Sequence, residues 1–270
     1  MSAAPPQTQR KLAAKADDTR RRRVALVTGA SRGIGYVTAL ALAKAGFDVA
    51  VVARDKVRLD DVRAKIAALG VRAFAVQCDV TDPAGVDSAV HAVVAALGPP
   101  AVVVNNAGMA RSRPFPQITF AEWNEILAVN AGGAFLMTHA CLPAMLEAGW
   151  GRVINVASTA AVQGFRYTAH YTASKHALLG MTRALALEVA TKGVTVNCVC
   201  PGFVDTEMTK QSIENIASAT GRSIAESRRL LEAESPQKRL IAPEEVAAAV
   251  VHLASDEARG VNGQAIVING

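Results

Sequence analysis

The sequence predicts an α/β protein: one doubly wound domain with a seven-stranded parallel sheet and helices on both faces. Three observations point there. Short apolar runs alternate with longer helix-patterned stretches from Val24 to the end of the chain. Most of those runs are apolar at every position rather than at every second one, as strands covered on both faces require. A turn with three glycines joins the first run to the first helix, where a tight bend and close backbone approach need residues without a Cβ.

Val24 to Thr28 is the first strand, and Gly29 stops it. An Ala- and Leu-rich helix follows over about 34–45 and closes at Gly46. Phe47 to Ala53 is the second strand. Asp55 stands where a helix N-cap belongs, before a helix that runs to Leu69 and stops at Gly70. Arg72 to Cys78 is the third strand, 84–97 the third helix and Ala101 to Asn105 the fourth strand. Helices over 119–130 and 132–148 lead to a fifth strand, Arg152 to Ala157. A long helix carrying Tyr171 ends at Gly193, and Val194 to Val199 is the sixth strand. A polar, helix-prone segment spans 203–235. Pro243 opens another helix at its N1 position, and Gln264 to Ile268 is the last strand. With no internal repeat and no second linker, 24–270 read as one domain.

Composition bounds the rest. Hydrophobic residues make up 51% and charged residues 19% of 270 positions, enough for a large core. No apolar run reaches the roughly 18 residues that cross a bilayer, and the N-terminus lacks an apolar signal region. A cytoplasmic protein is therefore expected. Cys78, Cys141, Cys198 and Cys200 are spaced for neither zinc nor a disulfide framework, so they read as reduced, buried thiols, and no metal is expected. The net charge of +6 belongs to a tail. Residues 1–23 hold seven basic and two acidic residues, against 22 and 21 in the remainder. That tail reads as a disordered, solvated leader. Its Arg20 to Arg23 run could also touch nucleic acid or acidic lipid, and Asp17 and Asp18 count against a transit peptide.

The glycine turn reads Thr28-Gly29-Ala30-Ser31-Arg32-Gly33-Ile34-Gly35. Between a strand and a helix N-terminus it suits a pyrophosphate, which meets free N–H groups and the positive end of the helix dipole. A packing turn is the alternative. At the end of the second strand, an NAD site usually places an acid on the ribose. Here Ala53 and then Arg54 stand there, and Asp55 is the helix cap. Arg54 and Arg32 could clamp a 2′-phosphate, which selects NADP(H); otherwise they are two exposed arginines.

Tyr171 and Lys175 lie one helical turn apart on one face. An ammonium beside a phenol favours the phenolate, so such a Tyr could pass a proton to a carbonyl oxygen or take one from an alcohol. Alone, the spacing also fits a packed or solvated pair. His170 and His176, beside this pair, point elsewhere round the helix.

In combination these motifs are similar to those of the short-chain dehydrogenase/reductase family in its single-domain, Rossmann-type form. The set is Thr28 to Gly35, Cys78-Asp79-Val80, Asn105-Asn106-Ala107-Gly108, Asn130, Ser158, Tyr171 to Lys175 and Pro201-Gly202, in the family's order over 24–270. The resemblance implies four catalytic residues. Tyr171 is the general acid, Lys175 lowers its pKa and binds the nicotinamide ribose, Ser158 binds the substrate oxygen, and Asn130 anchors a water in a proton relay. It further implies that Gly29, Ser31, Arg32, Gly33, Ile34, Gly35 and Arg54 hold the phosphates of NADP(H). Asp79 and Val80 flank the adenine, Asn106, Ala107 and Gly108 line the cleft, and Pro201, Gly202, Val204 and Thr206 border the nicotinamide. A homotetramer is implied as well, through the helices 132–148 and 171–192 and through the last strand with the Pro243 helix.

Two subgroups look closest, bacterial 3-oxoacyl-thioester reductases and aromatic polyketide ketoreductases. The second rests on Ala157-Ser158-Thr159, Gln163-Gly164, Ser174-Lys175-His176 and Cys200 to Val204. The segment 203–235 would cover the substrate, with Gln163, Phe165, Tyr167, Phe203 and Met208 as pocket residues. Arg111, Arg113 and Arg166 are expected near the mouth, where they could attract the phosphates of a coenzyme A or carrier-protein thioester; scattered surface arginines are the alternative. The resulting expectation is NADPH-dependent, reversible reduction of a 3-oxoacyl thioester. An oxidoreductase for a free ketone, cyclic alcohol or sugar is the second reading, and a non-enzymatic NADP- or nucleic-acid-binding protein the third.

Overall fold

Strand order, more than strand count, places the functional site. In the computed structural model, which describes residues 22–270, the sheet runs β3-β2-β1-β4-β5-β6-β7, and all seven strands are parallel. The strands are β1 Val24–Thr28, β2 Asp48–Ala53, β3 Ala73–Gln77, β4 Pro100–Asn105, β5 Gly151–Val156, β6 Val194–Pro201 and β7 Ala265–Ile268. The order reverses between β1 and β4. At that switch point the chains leaving two neighbouring strands diverge to opposite faces and open a crevice at the carboxyl edge.

Every residue of β1, β2, β5 and β6 is buried, the few polar ones such as Asp48, Arg152, Asn155 and Asn197 included, as strands covered on both faces require. The edge strands β3 and β7 are only partly covered. One face carries α1 Gly33–Lys44, α2 Lys56–Ala67 and α9 Pro243–Leu253. Leu42, Leu59, Ile66, Val246 and Val250 pack there on Val27, Val51 and Val104. The other carries α3 Pro83–Leu97, α5 Gly133–Ala148 and α6 Ala169–Val189, with Val93, Met137, Cys141 and Val189 on Leu26, Val52 and Val103. The four cysteines are free and buried, as expected.

Three places gain detail over the sequence reading. The helices expected at 119–130 and 132–148 are one continuous helical run: α4 Phe120–Leu127, a π-helical turn Ala128–Gly132, and α5. By length and composition alone Phe120–Ala148 could cross a bilayer, with a mean hydropathy of 1.4. Met137, Cys141 and Met145 are instead buried against the sheet, so the run is a core layer. The segment 203–235 forms two helices, α7 Glu207–Thr220 and α8 Ile224–Glu234; Ser223 and Glu226 build a capping box at the start of α8. The last two residues of the expected leader make contacts with the domain. Arg22 donates to the Gly70 carbonyl at 2.7 Å, and Arg23 stacks on Trp150 and pairs with Asp256 at 3.0 Å. The rest of the leader, and any nucleic-acid contact through it, lies outside the described residues.

Candidate active site

A cleft of about 590 Å³ opens along the carboxyl edge, above the ends of β1, β2, β4, β5 and β6. Its floor is laced together by side chains from the two strands of the switch point. The Thr28 hydroxyl accepts from the backbone N–H groups of Asn106 and Ala107, both at 3.0 Å. The Asn106 amide donates back to the Thr28 and Gly29 carbonyls at 3.0 and 3.2 Å. Gly29 and Gly33 take φ values of 63° and 55°, which other L-residues avoid. A Cβ on Gly35 would collide with the Asn106 side chain and the Gly29 carbonyl, so Gly35 is a close-packing glycine. Arg32 caps α1 without a side-chain bond, which leaves first-turn N–H groups for an anion. Asp55 accepts from Arg58 N at 3.1 Å and is the cap expected for α2.

Tyr171, Ser158 and Lys175 meet at the other end of this cleft. Ser158 follows β5 and turns into a 3₁₀ segment, where its hydroxyl accepts from Ala160 N at 3.1 Å. Lys175 is buried; its Nζ donates to the Val156 carbonyl at 3.0 Å and lies 5.8 Å from the Tyr171 ring centroid. Asn130, buried in the π turn, accepts from Met109 N at 2.8 Å. Its amide donates to the Met109 carbonyl and to Ser174 Oγ, both at 2.9 Å. Ser174 Oγ donates to the Tyr171 carbonyl at 2.7 Å. Asn130 therefore ties the Gly108–Met109 loop to the first turns of α6. A Cβ on Gly108 would stand 3.2 Å from Asn130 Oδ1 and 3.6 Å from Lys175 Nζ, so this glycine lets both approach the cleft wall.

The electrostatics at Tyr171 and Lys175 are governed by burial. Lys175 was expected to lower the Tyr171 pKa. Burial is the largest influence and pushes Tyr171 above the ordinary phenol range, opposed by the Ser158 hydroxyl. Burial also pulls Lys175 down to about 8, with the Cys198 and Cys200 thiols opposing. The ammonium gives its hydrogen bond to the Val156 carbonyl.

Of the residues expected to hold the nucleotide, all but Gly35 line the cleft, and of the catalytic four all but Asn130, which stands behind it. The free helix terminus, the glycine wall and the arginines at the end of β2 fit a phosphorylated dinucleotide. Arg54 is exposed, 3.9 Å from Asp79. Asp79 is held below the usual carboxylate range by bonds from Thr81 N–H and the Thr81 hydroxyl. Val80 packs where a Cβ on Gly133 would otherwise sit. Thr206 caps α7, accepting from Thr209 N at 3.5 Å.

The substrate expectations fare less well. Met208 lines the cleft, but Gln163, Phe165 and Tyr167 do not. Phe203 packs instead with Ile213, Leu231 and Leu240 in the small core that joins α7 to α8. Arg111, which lines the cleft, and Arg113 already carry carboxylate partners. Arg111 pairs with Glu125 at 2.6 Å, and Arg113 Nε with buried Glu122 at 2.9 Å.

A model of the family described as short chain dehydrogenase matches residues 23–217. The chain is a member of that family. Three similar proteins illustrate the relationship. The acetoacetyl-CoA reductase of Rhizobium meliloti is 39% identical, over 92% of this chain and 97% of the relative. The 3-oxoacyl-acyl-carrier-protein reductase of Escherichia coli is 36% identical, over 92% and 96%. Among solved structures, an actinorhodin polyketide ketoreductase variant with NADPH superposes with a TM-score of 0.89 at 39% identity, over 92% and 96%. This short-chain dehydrogenase is thus an oxidoreductase with ketoreductase relatives, and the non-enzymatic reading is set aside.

Sequence reasoning passed over three features of this short-chain dehydrogenase. Asn155 sits inside an apolar strand and relays hydrogen bonds at 2.8 Å from Asn105 to Thr182, linking β4, β5 and α6 behind the site. An asparagine in the middle of a buried strand was the available signal. Glu122 and His170 form a second buried group, with His170 Nε2 at 3.9 Å from Glu122 Oε1. Arg58 and Glu207 line the cleft beside Arg32 and left no sequence signal, because they meet only in space.

Proposed function

We propose that this chain reduces the 3-oxo group of an acyl thioester, carried on coenzyme A or a carrier protein, to the 3-hydroxyacyl form, reversibly and with NADP(H). The single observation that supports it is the convergence of Tyr171, Ser158 and Lys175 at one end of a cleft whose other end holds Arg32 and Arg54. NADPH, when bound, supplies the hydride. Gly29, Ser31, Gly33 and the start of α1 would hold its pyrophosphate, Arg32 and Arg54 its 2′-phosphate, and Pro201, Gly202, Val204 and Thr206 its nicotinamide half.

The chain's own residues do the rest. The Ser158 hydroxyl orients the carbonyl oxygen and donates to it as negative charge develops. Tyr171, which burial keeps protonated at neutral pH, gives that oxygen its proton. Lys175 holds a positive charge within the same buried pocket. Asn130 fixes the loop and helix that frame it, a positioning role. Met208 and the α7–α8 segment cover the substrate side.

A second reading, reduction of a free ketone, is favoured by the internal pairing of Arg111 and Arg113, which leaves the mouth with less charge for a phosphate. Rates with acetoacetyl-CoA and with simple ketones, followed with NADPH and NADH separately, discriminate the two. Tyr171→Phe tests the chemistry common to both: nucleotide binding stays near the parent value and turnover falls below about a tenth. A cytoplasmic homotetramer belongs to the same proposal; the exposed Phe135 and Leu187 on α5 and α6, and Val267 on β7, support the assembly.

A further inference from the structure

Three arginines and three carboxylates ring the end of the cleft above β2: Arg32, Arg54, Arg58, Asp55, Asp79 and Glu207. The charges are not evenly paired. Among the described residues the Arg54 guanidinium pairs with Asp79 alone, at 3.9 Å, and is 81% exposed. Asp55 is committed to the α2 cap and to Arg58 at 3.4 Å. Glu207 takes the rest. It receives Arg32 Nη1 at 2.8 Å on one oxygen and Arg58 Nη1 at 3.4 Å on both. Glu207 is the first residue of α7, directly after Thr206, whose methyl lies 3.4 Å from the place a Cβ on Gly33 would take. So a carboxylate of the substrate cover reaches across the cleft to the glycine turn and to α2.

A carboxylate between two guanidinium groups is the nearest internal mimic of a phosphate monoester held in the same way. We infer that Glu207 competes with the 2′-phosphate of NADP(H) for Arg32 and Arg58, and that Arg58 is a third cation for that phosphate beside Arg32 and Arg54. The inference rests on the NADP(H) reading above. It makes Glu207 a determinant of cofactor specificity that acts against the preferred nucleotide. A nucleotide with a 2′-phosphate displaces Glu207 and frees the start of α7, whereas NADH leaves the bridge in place. Nucleotide binding and the position of the substrate cover are then coupled through one side chain.

The size of the effect is bounded by exposure. The Arg32, Arg58 and Glu207 side chains are 62%, 48% and 53% exposed, so solvent screens the bridge. Removing it should tighten a 2′-phosphorylated ligand by about three- to tenfold at low salt, and by less at high salt.

The test is equilibrium binding of NADPH, NADH and 2′,5′-ADP to the parent, Glu207→Gln and Arg58→Ala proteins, measured by calorimetry at low and high salt. The parent should bind NADPH more tightly than NADH. Glu207→Gln should tighten NADPH and 2′,5′-ADP and leave NADH within about twofold. Arg58→Ala should weaken the first two only. A parent that binds NADPH and NADH equally overturns the cofactor reading. A parent that prefers NADPH, with Glu207→Gln weakening it or shifting both dinucleotides alike, overturns this inference and leaves the cofactor reading standing. Hydrogen exchange over Glu207–Thr220 gives a second readout: Glu207→Gln should raise it without nucleotide, and unchanged exchange refutes the coupling.

Discussion

Lys175 Nζ donates to the Val156 carbonyl at 3.0 Å, from a position that is only 5% exposed. A buried ammonium with one neutral acceptor is poorly solvated, and its pKa falls to about 8. The group is kept for chemistry at the expense of stability. Below pH 8 the folded and unfolded chains both protonate it, and the penalty is complete. Between about 8 and the ordinary value of 10.5 the unfolded chain binds more proton, so stability rises with pH; above that window the penalty is gone. Lys175→Met should therefore stabilise the nucleotide-free protein at pH 7 by about 1–3 kcal/mol while removing activity. Urea unfolding of parent and variant at pH 7 and pH 10 checks this. The difference should shrink at the higher pH.

The same residue shows what was legible in the sequence. Apolar runs and glycine stops located all seven strands, most securely the central ones, because a strand buried on both faces has few compositional choices. The glycine turn, Asn105 to Gly108, Ser158 and Tyr171 to Lys175 were legible because each follows a strand end, and parallel strands bring those ends to one edge. The balance of burial against charge at Tyr171 was not. It depends on where Nζ points, and a four-residue spacing gives only the face of the helix. Phe203 illustrates the same limit, since an aromatic after Pro201-Gly202 can face a substrate or the core beneath α7 and α8, and here it faces the core.

Arg111 and Arg113 lead to the second prediction. From the sequence they were expected to attract a thioester's phosphates. In the fold, Arg111 forks onto Glu125 at 2.6 and 3.2 Å, and Arg113 neutralises Glu122, which is only 8% exposed. Arg113 N also donates to the carbonyl of Tyr167, a residue held at a φ of 65°. The two arginines thus fix the 109–117 loop against α4 and the turn before α6. Replacing both by Ala should destabilise the protein and change KM for acetoacetyl-CoA and for a small uncharged ketone by the same factor, within about twofold. A rise of KM for the thioester alone would restore the phosphate role.

His170 supplies the third. It precedes the candidate proton donor, is completely buried, and neither ring nitrogen has a partner among the described protein atoms. Burial holds its pKa below the ordinary 6.5, opposed by Glu122 and reinforced by Arg111 and Arg113. A histidine with a lowered folded pKa is neutral in the native state at pH 7, and the unfolded chain binds more proton as pH falls through 6.5. The protein therefore loses stability in that direction. His170→Leu removes two unpaired polar atoms and the titration together. The variant should match or exceed the parent at pH 7.5, and its advantage should widen at pH 5.5. Thermal unfolding of both proteins at the two pH values measures this. Activity at pH 7.5 should stay within a few-fold of the parent, because His170 faces Glu122 rather than the cleft. An advantage that narrows at low pH would mean that His170 is charged in the folded protein and paired with Glu122.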